Sequence, residues 1–333
     1  MNARNAILAL LNGHRTGGVP CFSGLIQLTS AGLESEGLIL HETHHDAARM
    51  ARAAASTYRL TGFPSAAVPL DLYVEAQVLG AQIDFRETAQ FEFPGVKQAA
   101  FNSVREISTD RAEQMELPGQ GRVQLVCDAI RQLKEDIGTE AVIGAWTPGP
   151  FTLLTLLVEP AKLFLEMKRE PEMVQGVLGR LSSLLSKVGS AYRNAGADFL
   201  TVHEMGGSPG FIGPARFEQF VLPALKDLIA SLPKPRVLSI CGDTNKSMRL
   251  LGQAGADAIS VDQTNDLAAS RAILGENAIL FGNIDPVATL SLGSEADVHQ
   301  AVAKSKEAGV DAVWPGCDLV VQTPIQNVRA MSQ

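Results

Sequence analysis

Three times in this chain the same four-residue phrase closes an amphipathic stretch and launches an apolar run. It reads Ala-Gly-Ala-Asp at 195–198 and 254–257, and Ala-Gly-Val-Asp at 308–311. The glycine stops a helix, and the run beyond the aspartate is short, apolar and β-like, so the repeated unit is helix then strand. Eight β-like runs can be read: Val19–Phe22, Ala66–Leu70, Ala141–Trp146, Phe199–Val202, Arg236–Ile240, Ala258–Val261, Ala278–Gly282 and Asp311–Trp314. Between them lie amphipathic stretches such as His45–Gly62, Gly121–Gly138, Glu172–Gly196, Pro214–Leu232, Lys246–Gly255, Leu267–Leu274 and Ala296–Gly309. Strands alternating with helices predict an α/β chain with a parallel sheet, and eight units predict a closed (β/α)8 TIM barrel. An open sheet with fewer paired strands is the alternative. Residues 1–333 are read as a single barrel domain, with extra N-terminal helices and an irregular excursion over 82–120, between the second and third units.

Composition narrows the function classes. The 333 residues are 46% hydrophobic and 19% charged, with a net charge of −8 and no basic block, which argues against a nucleic-acid partner. Met1 to Gly13 shows no signal peptide, and no apolar run reaches the ~20 residues of a membrane span, so a cytoplasmic enzyme without membrane contact is expected. Four cysteines in a chain of this length form no disulfide framework. Cys127 sits in a helical apolar pattern and reads as core, and Cys21 reads as structural.

A parallel barrel presents its chemistry at the C-terminal strand ends and the loops after them. That rule selects polar and glycine-rich tips. Cys241 and Cys317, 76 residues apart, each end an apolar run and adjoin a glycine, as a thiolate pair for a metal or methyl-acceptor site would. The bland alternative is two small buried hydrophobes. Position 239 lies two residues before Cys241 and shares its face of the strand. A histidine there would complete a three-ligand zinc site with an open fourth position, and this chain has Ser239. Asp71, with Glu75 one turn on, is either a helix cap or a carboxylate facing the barrel mouth. His203 and Glu204 end a strand, and one of the two points away from the lumen. Asp262, Gln263, Asn283 and Asp285 place amides and carboxylates at consecutive tips, suited to the donor and acceptor edge of a flat heterocycle. Of the remaining histidines, His41, His44, His45 and His299 read as helix-start or surface residues.

The runs Val237-Leu-Ser-Ile-Cys-Gly-Asp-Thr, Ala258-Ile-Ser-Val-Asp-Gln, Phe281-Gly-Asn-Ile-Asp-Pro and Pro315-Gly-Cys-Asp-Leu, with Thr323-Pro-Ile-Gln-Asn-Val-Arg-Ala-Met, carry a resemblance. Together with Val68-Pro-Leu-Asp-Leu-Tyr-Val-Glu-Ala-Gln-Val-Leu-Gly and Gly149-Pro-Phe-Thr-Leu, they resemble the corrinoid-dependent methyltransferase branch of the uroporphyrinogen decarboxylase superfamily. The resemblance implies a barrel that moves a methyl group from a corrinoid (methylcobalamin-type) cofactor, carried by a transient partner protein, to a small acceptor. True decarboxylases carry an arginine motif near the N-terminus; here Pro20-Cys-Phe-Ser-Gly-Leu-Ile-Gln has none, and a polyanionic substrate would lack counter-charge.

In the coenzyme M enzymes of that branch, His-x-Cys and a distant Cys hold zinc, which activates the acceptor thiol. Those ligands fall here on Ser239, Cys241 and Cys317, which leaves zinc, if present, with Cys241, Cys317 and an unorthodox third ligand, for which His203 and Glu204 are the open choices. The reading taken from the sequence is therefore zinc-independent transfer to tetrahydrofolate, nearest to the methylcorrinoid:tetrahydrofolate type. It assigns Glu204, Asp262 and Asn283 as catalytic, and Asp71, His203, Ser239, Cys241, Gln263, Asp285 and Cys317 as substrate-binding. The alternatives are a zinc-dependent thiol methyltransferase, a non-catalytic corrinoid-protein docking module and, last, a decarboxylase.

Overall fold

The computed structural model describes residues 2–107, 119 and 121–332. Six parallel strands stand side by side in the order β1 (Ser65–Val68), β4 (Val142–Pro148), β5 (Phe199–Glu204), β6 (Arg236–Ile240), β7 (Ala258–Val261) and β8 (Leu280–Phe281). The ring closes through two further segments. Ala312 bridges Phe281, Pro315 bridges Ile284, and Val313 bridges Cys21, all parallel. Ser23 then donates its backbone N–H to Ser65 Oγ, 3.0 Å away, joining the first segment to β1. Eight strand positions make the (β/α)8 barrel. The two closing segments match the runs expected at 19–22 and 311–314 but pair through single bridges. Pro20 and Pro315 supply part of the reason, since neither has an N–H to give a ladder.

The excursion between the second and third barrel positions contains an antiparallel hairpin, β2 (Gln82–Asp84) with β3 (Gly95–Gln98), and a helical turn at Val104–Ile107. Its continuation, 108–118 and 120, lies outside the described residues. The N-terminal helices expected from the sequence are Ala3–Leu11, Ser30–Glu36 and Leu40–Thr43, the first of them preceding the barrel.

Alternation along the strands sorts side chains to two cores. Val142, Phe199, Val237, Ala258, Phe281, Ala312 and Trp314 pack with Phe22, Leu25 and the N-terminal helix residues Ile7, Leu10 and Leu11. This is the lower barrel interior. Phe22 sets its ring edgewise against Phe199, Phe281 and Trp314 at 5.9, 5.4 and 5.1 Å between centroids, favoured arrangements for aromatic quadrupoles. The next residues along, Ile143, Leu200, Leu238 and Ile259, face the outer core beneath the helices. On β5 the inward set is thus Phe199, Thr201, His203, and on β6 it is Val237, Ser239, Cys241. The barrel floor is apolar and closed, and its upper end is polar.

The repeated aspartates lie at the opposite end from that polar layer. Asp198, Asp257 and Asp311 accept the N–H of Ile143, Arg236 and Leu280, each at 2.9 Å, and so clamp the start of a neighbouring strand. Each is paired with cations, such as Lys134 at 2.6 Å for Asp198 and Arg271 at 2.6 Å for Asp311. The preceding glycines hold φ of +118°, +83° and +84°, the left-handed turn that lets the helix end there. The phrase that marks the fold in sequence is a stability device. No helix among the described residues is long and apolar enough to cross a membrane.

Candidate metal centre

Three strand ends converge at the barrel top. His203 lies near the end of β5, Cys241 follows β6, and Cys317 follows the closing segment at 312–315. Cys241 Sγ lies 3.7 Å from His203 Nε2, Cys317 Sγ lies 3.9 Å from it, and the two sulfurs are 2.6 Å apart. Both cysteines are free thiols, half-buried, and His203 is fully buried. One ligand atom from each residue falls within 4.8 Å of the others, and this is the metal-capable cluster among the described residues. Two sulfurs and one imidazole form a borderline-soft set that suits zinc, and three protein ligands leave a position free for chemistry.

The sequence leaves the third donor open between His203 and Glu204, and the geometry brings His203 to the thiol pair. His203 and Ser239 are partners in the parallel register of β5 and β6, so the imidazole at 203 approaches the two sulfurs from the strand beside Ser239. Ser239 Oγ sits 3.2 Å from His203 Nδ1, and Trp146 meets the imidazole ring edgewise at 6.0 Å.

The three groups are electrostatically coupled. The hydrogen bond from Cys241 holds the Cys317 thiol well below its ordinary pKa, and the same bond pushes Cys241 well above its own. Burial pulls His203 down, but its hydrogen bond to Cys317 and the charge there outweigh it, so the imidazole pKa rises. Burial and the Cys317 charge push Asp318 up to about 7; its Oδ1 accepts from Ile26 N at 2.8 Å.

The structure gives other settings to the remaining candidates. Glu204 points away from the lumen. It accepts hydrogen bonds from Thr152 Oγ1, from Gly207 N at 2.9 Å and from Phe151 N at 3.2 Å, and burial raises its pKa. Its work is to tie the loop after β5 to the start of helix Pro150–Leu157. Asp262 accepts from Gly242 N, and from Thr264 N at 2.8 Å, which joins the tips of β6 and β7. Asn283 donates to the carbonyls of Asp262 and Asn265, both at 2.9 Å. Asp285 caps Val287 N and Ala288 N. Gln263 packs on Gly316, where an added Cβ would come within 2.6 Å of its Oε1; that close approach seats the Cys317 loop. Each of these residues makes hydrogen bonds or close contacts within the loops that surround the thiols.

Asp71 is 2% exposed and lies between Arg122 and His44, whose Nδ1 is 2.7 Å away. Neither partner stands out in the sequence. Glu75, fully buried, accepts from Tyr192 OH at 3.4 Å with its Oε1, and among the described residues its Oε2 has no partner. Burial, the largest cause, pushes its pKa up to about 7. A carboxyl raised from about 4.5 in the unfolded chain keeps its proton longer when folded, so folding stability falls as pH rises from about 4.5 to 7. Glu75→Gln should therefore be stabilising by on the order of 3 kcal/mol at pH 8 and nearly neutral near pH 4.5. Urea titrations at the two pH values check this, and equal differences at both would refute it.

The family model described as uroporphyrinogen decarboxylase (URO-D) matches residues 2–333. The chain is 31% identical over 302 residues to the methylcobamide:CoM methyltransferase MtbA of Methanosarcina acetivorans, covering 90% of this chain and 87% of that protein. To the methylcobamide:CoM methyltransferase MtaA of Methanosarcina barkeri it is 25% identical over 333 residues, covering 98% and 96%. Against the uroporphyrinogen decarboxylase of Tolumonas auensis the match is 27% over 179 residues, half of each protein. A solved structure described as a methyltransferase from Methanosarcina mazei superimposes with a TM-score of 0.91 over 99% of this chain and 97% of that one, at 23% identity, which establishes the barrel. With the family model spanning nearly the whole length, this chain belongs to the uroporphyrinogen decarboxylase (URO-D) family.

Proposed function

We propose that this protein takes a methyl group from a methylated corrinoid carried by a partner protein and transfers it to a thiol, with zinc held by His203, Cys241 and Cys317. The single observation that carries the reading is the convergence of those three donors within 4.8 Å at the barrel mouth. The 31%-identical relative, aligned over 90% of the chain, is a methylcobamide:CoM enzyme and supports the same acceptor class. The sequence favours tetrahydrofolate because Ser239 stands where the zinc histidine would be, and the approach of His203 to both sulfurs weakens that reason.

Bound zinc would supply Lewis acidity that lowers the pKa of an acceptor thiol, so that it reacts as thiolate near neutral pH. The acceptor sulfur attacks the methyl carbon. A carbon–sulfur bond forms, the carbon–cobalt bond breaks with its electron pair left on cobalt, and the thiol proton passes to solvent. Catalysis is mainly positioning. The chain contributes a floor sealed by Phe22, Phe199, Phe281 and Trp314, a wall at Trp146 beside His203, and loops pinned by Glu204 and Asp262. With the floor closed, donor and acceptor both reach the ligand cluster from above.

The test is to incubate zinc-loaded protein with methylcobalamin and either a small thiol or tetrahydrofolate, and to follow the loss of methylcobalamin absorbance. Transfer to the thiol that stops when zinc is chelated is the expected result. Transfer to tetrahydrofolate without transfer to the thiol, or transfer to neither, overturns the proposal.

A further inference from the structure

We infer that Ser239 is a positioning residue for the metal: its hydroxyl holds the His203 ring in the tautomer and orientation that aim Nε2 at the two sulfurs. This deepens the zinc reading above and rests on it. Ser239 is 1% exposed and His203 is fully buried, so neither takes a partner from solvent. Among the described residues, the one hydrogen bond of the Ser239 hydroxyl is to His203 Nδ1, at 3.2 Å. The imidazole's other nitrogen faces the sulfurs at 3.7 and 3.9 Å. A ligating Nε2 offers its lone pair, so Nδ1 carries the hydrogen and donates it to Ser239 Oγ.

The strand geometry makes this pairing hard to avoid. His203 and Ser239 face each other across β5 and β6 in register, and both lie on the lumen face by the alternation that runs up from Phe199 and Val237. Histidine χ2 is broad and roughly two-fold, so side-chain packing alone leaves two ring flips available. Flipping the ring turns Nδ1 away from Ser239 and leaves a buried N–H without that partner, which is costly. Trp146, set edgewise at 83° to the imidazole, restrains the ring plane but offers it no acceptor; the indole N–H is taken by the Pro69 carbonyl at 2.8 Å. The hydroxyl is what separates the two flips.

The experiment is a double-mutant cycle on zinc affinity, read by competition with a chromophoric chelator in wild type, Ser239→Ala, His203→Ala and the double variant. Loss of the ligand's hydrogen-bond partner should weaken zinc about 10–100-fold in Ser239→Ala. On the His203→Ala background the same change should cost less than about threefold, because the ring it positions is gone. Ser239→Thr, which keeps the hydroxyl, should recover most of the affinity. In cobalt(II)-loaded Ser239→Ala, the sulfur-to-metal charge-transfer band should persist while the ligand-field bands shift, reporting a disturbed nitrogen donor. Unchanged affinity in Ser239→Ala, or an equal loss in both backgrounds, overturns the inference. A wild-type protein that binds no zinc ends the metal reading itself, which is a different outcome from wild-type binding without coupling.

Discussion

Replacing His203 by alanine is expected to lower zinc affinity about 1,000-fold, the equivalent of roughly 4 kcal/mol for one ligand of three. Cys317→Ala should do the same, because either change leaves two donors where a catalytic site needs three. Glu204→Ala is the informative contrast. It removes a carboxylate that pins Gly207 and Phe151, so it should lower thermal stability while zinc stoichiometry stays intact. Metal analysis of protein purified without chelator, with affinities from chelator competition, measures all three. Stoichiometric, tight zinc in His203→Ala would show that the third donor is another residue. Metal loss in Glu204→Ala at a temperature where the variant is fully folded would show that the carboxylate belongs to the centre after all.

The contrast between those two neighbours shows how much of the site the sequence carried. Strand alternation already required that His203 and Glu204 face opposite ways, and it placed residue 239 on the same side as Cys241. What alternation cannot supply is register between strands, because a one-residue slip exchanges every inward and outward side chain. His203 stands opposite Ser239 only because β5 and β6 pair in the observed register. That single fact places an imidazole beside the two sulfurs from one strand away.

The barrel itself was legible, because each helix stop and strand start is written locally in glycine and aspartate. The carboxylates and amides at the strand tips were harder. Loops there expose many backbone N–H groups, and short polar side chains satisfy them. Asp262, Asn283 and Asp285 carry the residue types of a binding pocket, and the same side chains make the hydrogen bonds of loop caps. No local sequence signal separates the two uses. Arg122 was invisible for a related reason: an arginine at position two of helix Gly121–Asp136 looks like a surface residue until its partner, 51 positions earlier, is known.

That partnership sets the second large effect, a loss of stability without loss of metal. Arg122 is 7% exposed, donates to both oxygens of Asp71 and, through Nε, to the His44 carbonyl at 3.0 Å, and lies over the Phe85 ring at 5.2 Å. Asp71→Ala leaves this guanidinium buried without its counter-charge, a change that costs about 3–5 kcal/mol. The midpoint of thermal unfolding should fall on the order of 5–10 °C. The pH dependence comes from the carboxyl's own shift. Burial opposes ionisation of Asp71, but the charges of Arg122 and His44 and their hydrogen bonds outweigh it and hold the pKa well below the carboxylate range. A depressed carboxyl contributes its stability above the unfolded pKa of about 3.9 and loses it as pH falls from there. Wild type and Asp71→Ala should therefore differ fully at pH 7, and the difference should shrink progressively as pH falls below about 4, where urea unfolding can track both. Zinc affinity in the folded variant should match wild type, because the Asp71 carboxylate is spent on Arg122 and His44. A variant that keeps wild-type stability at pH 7 but fails to bind or turn over the acceptor would return Asp71 to the substrate pocket.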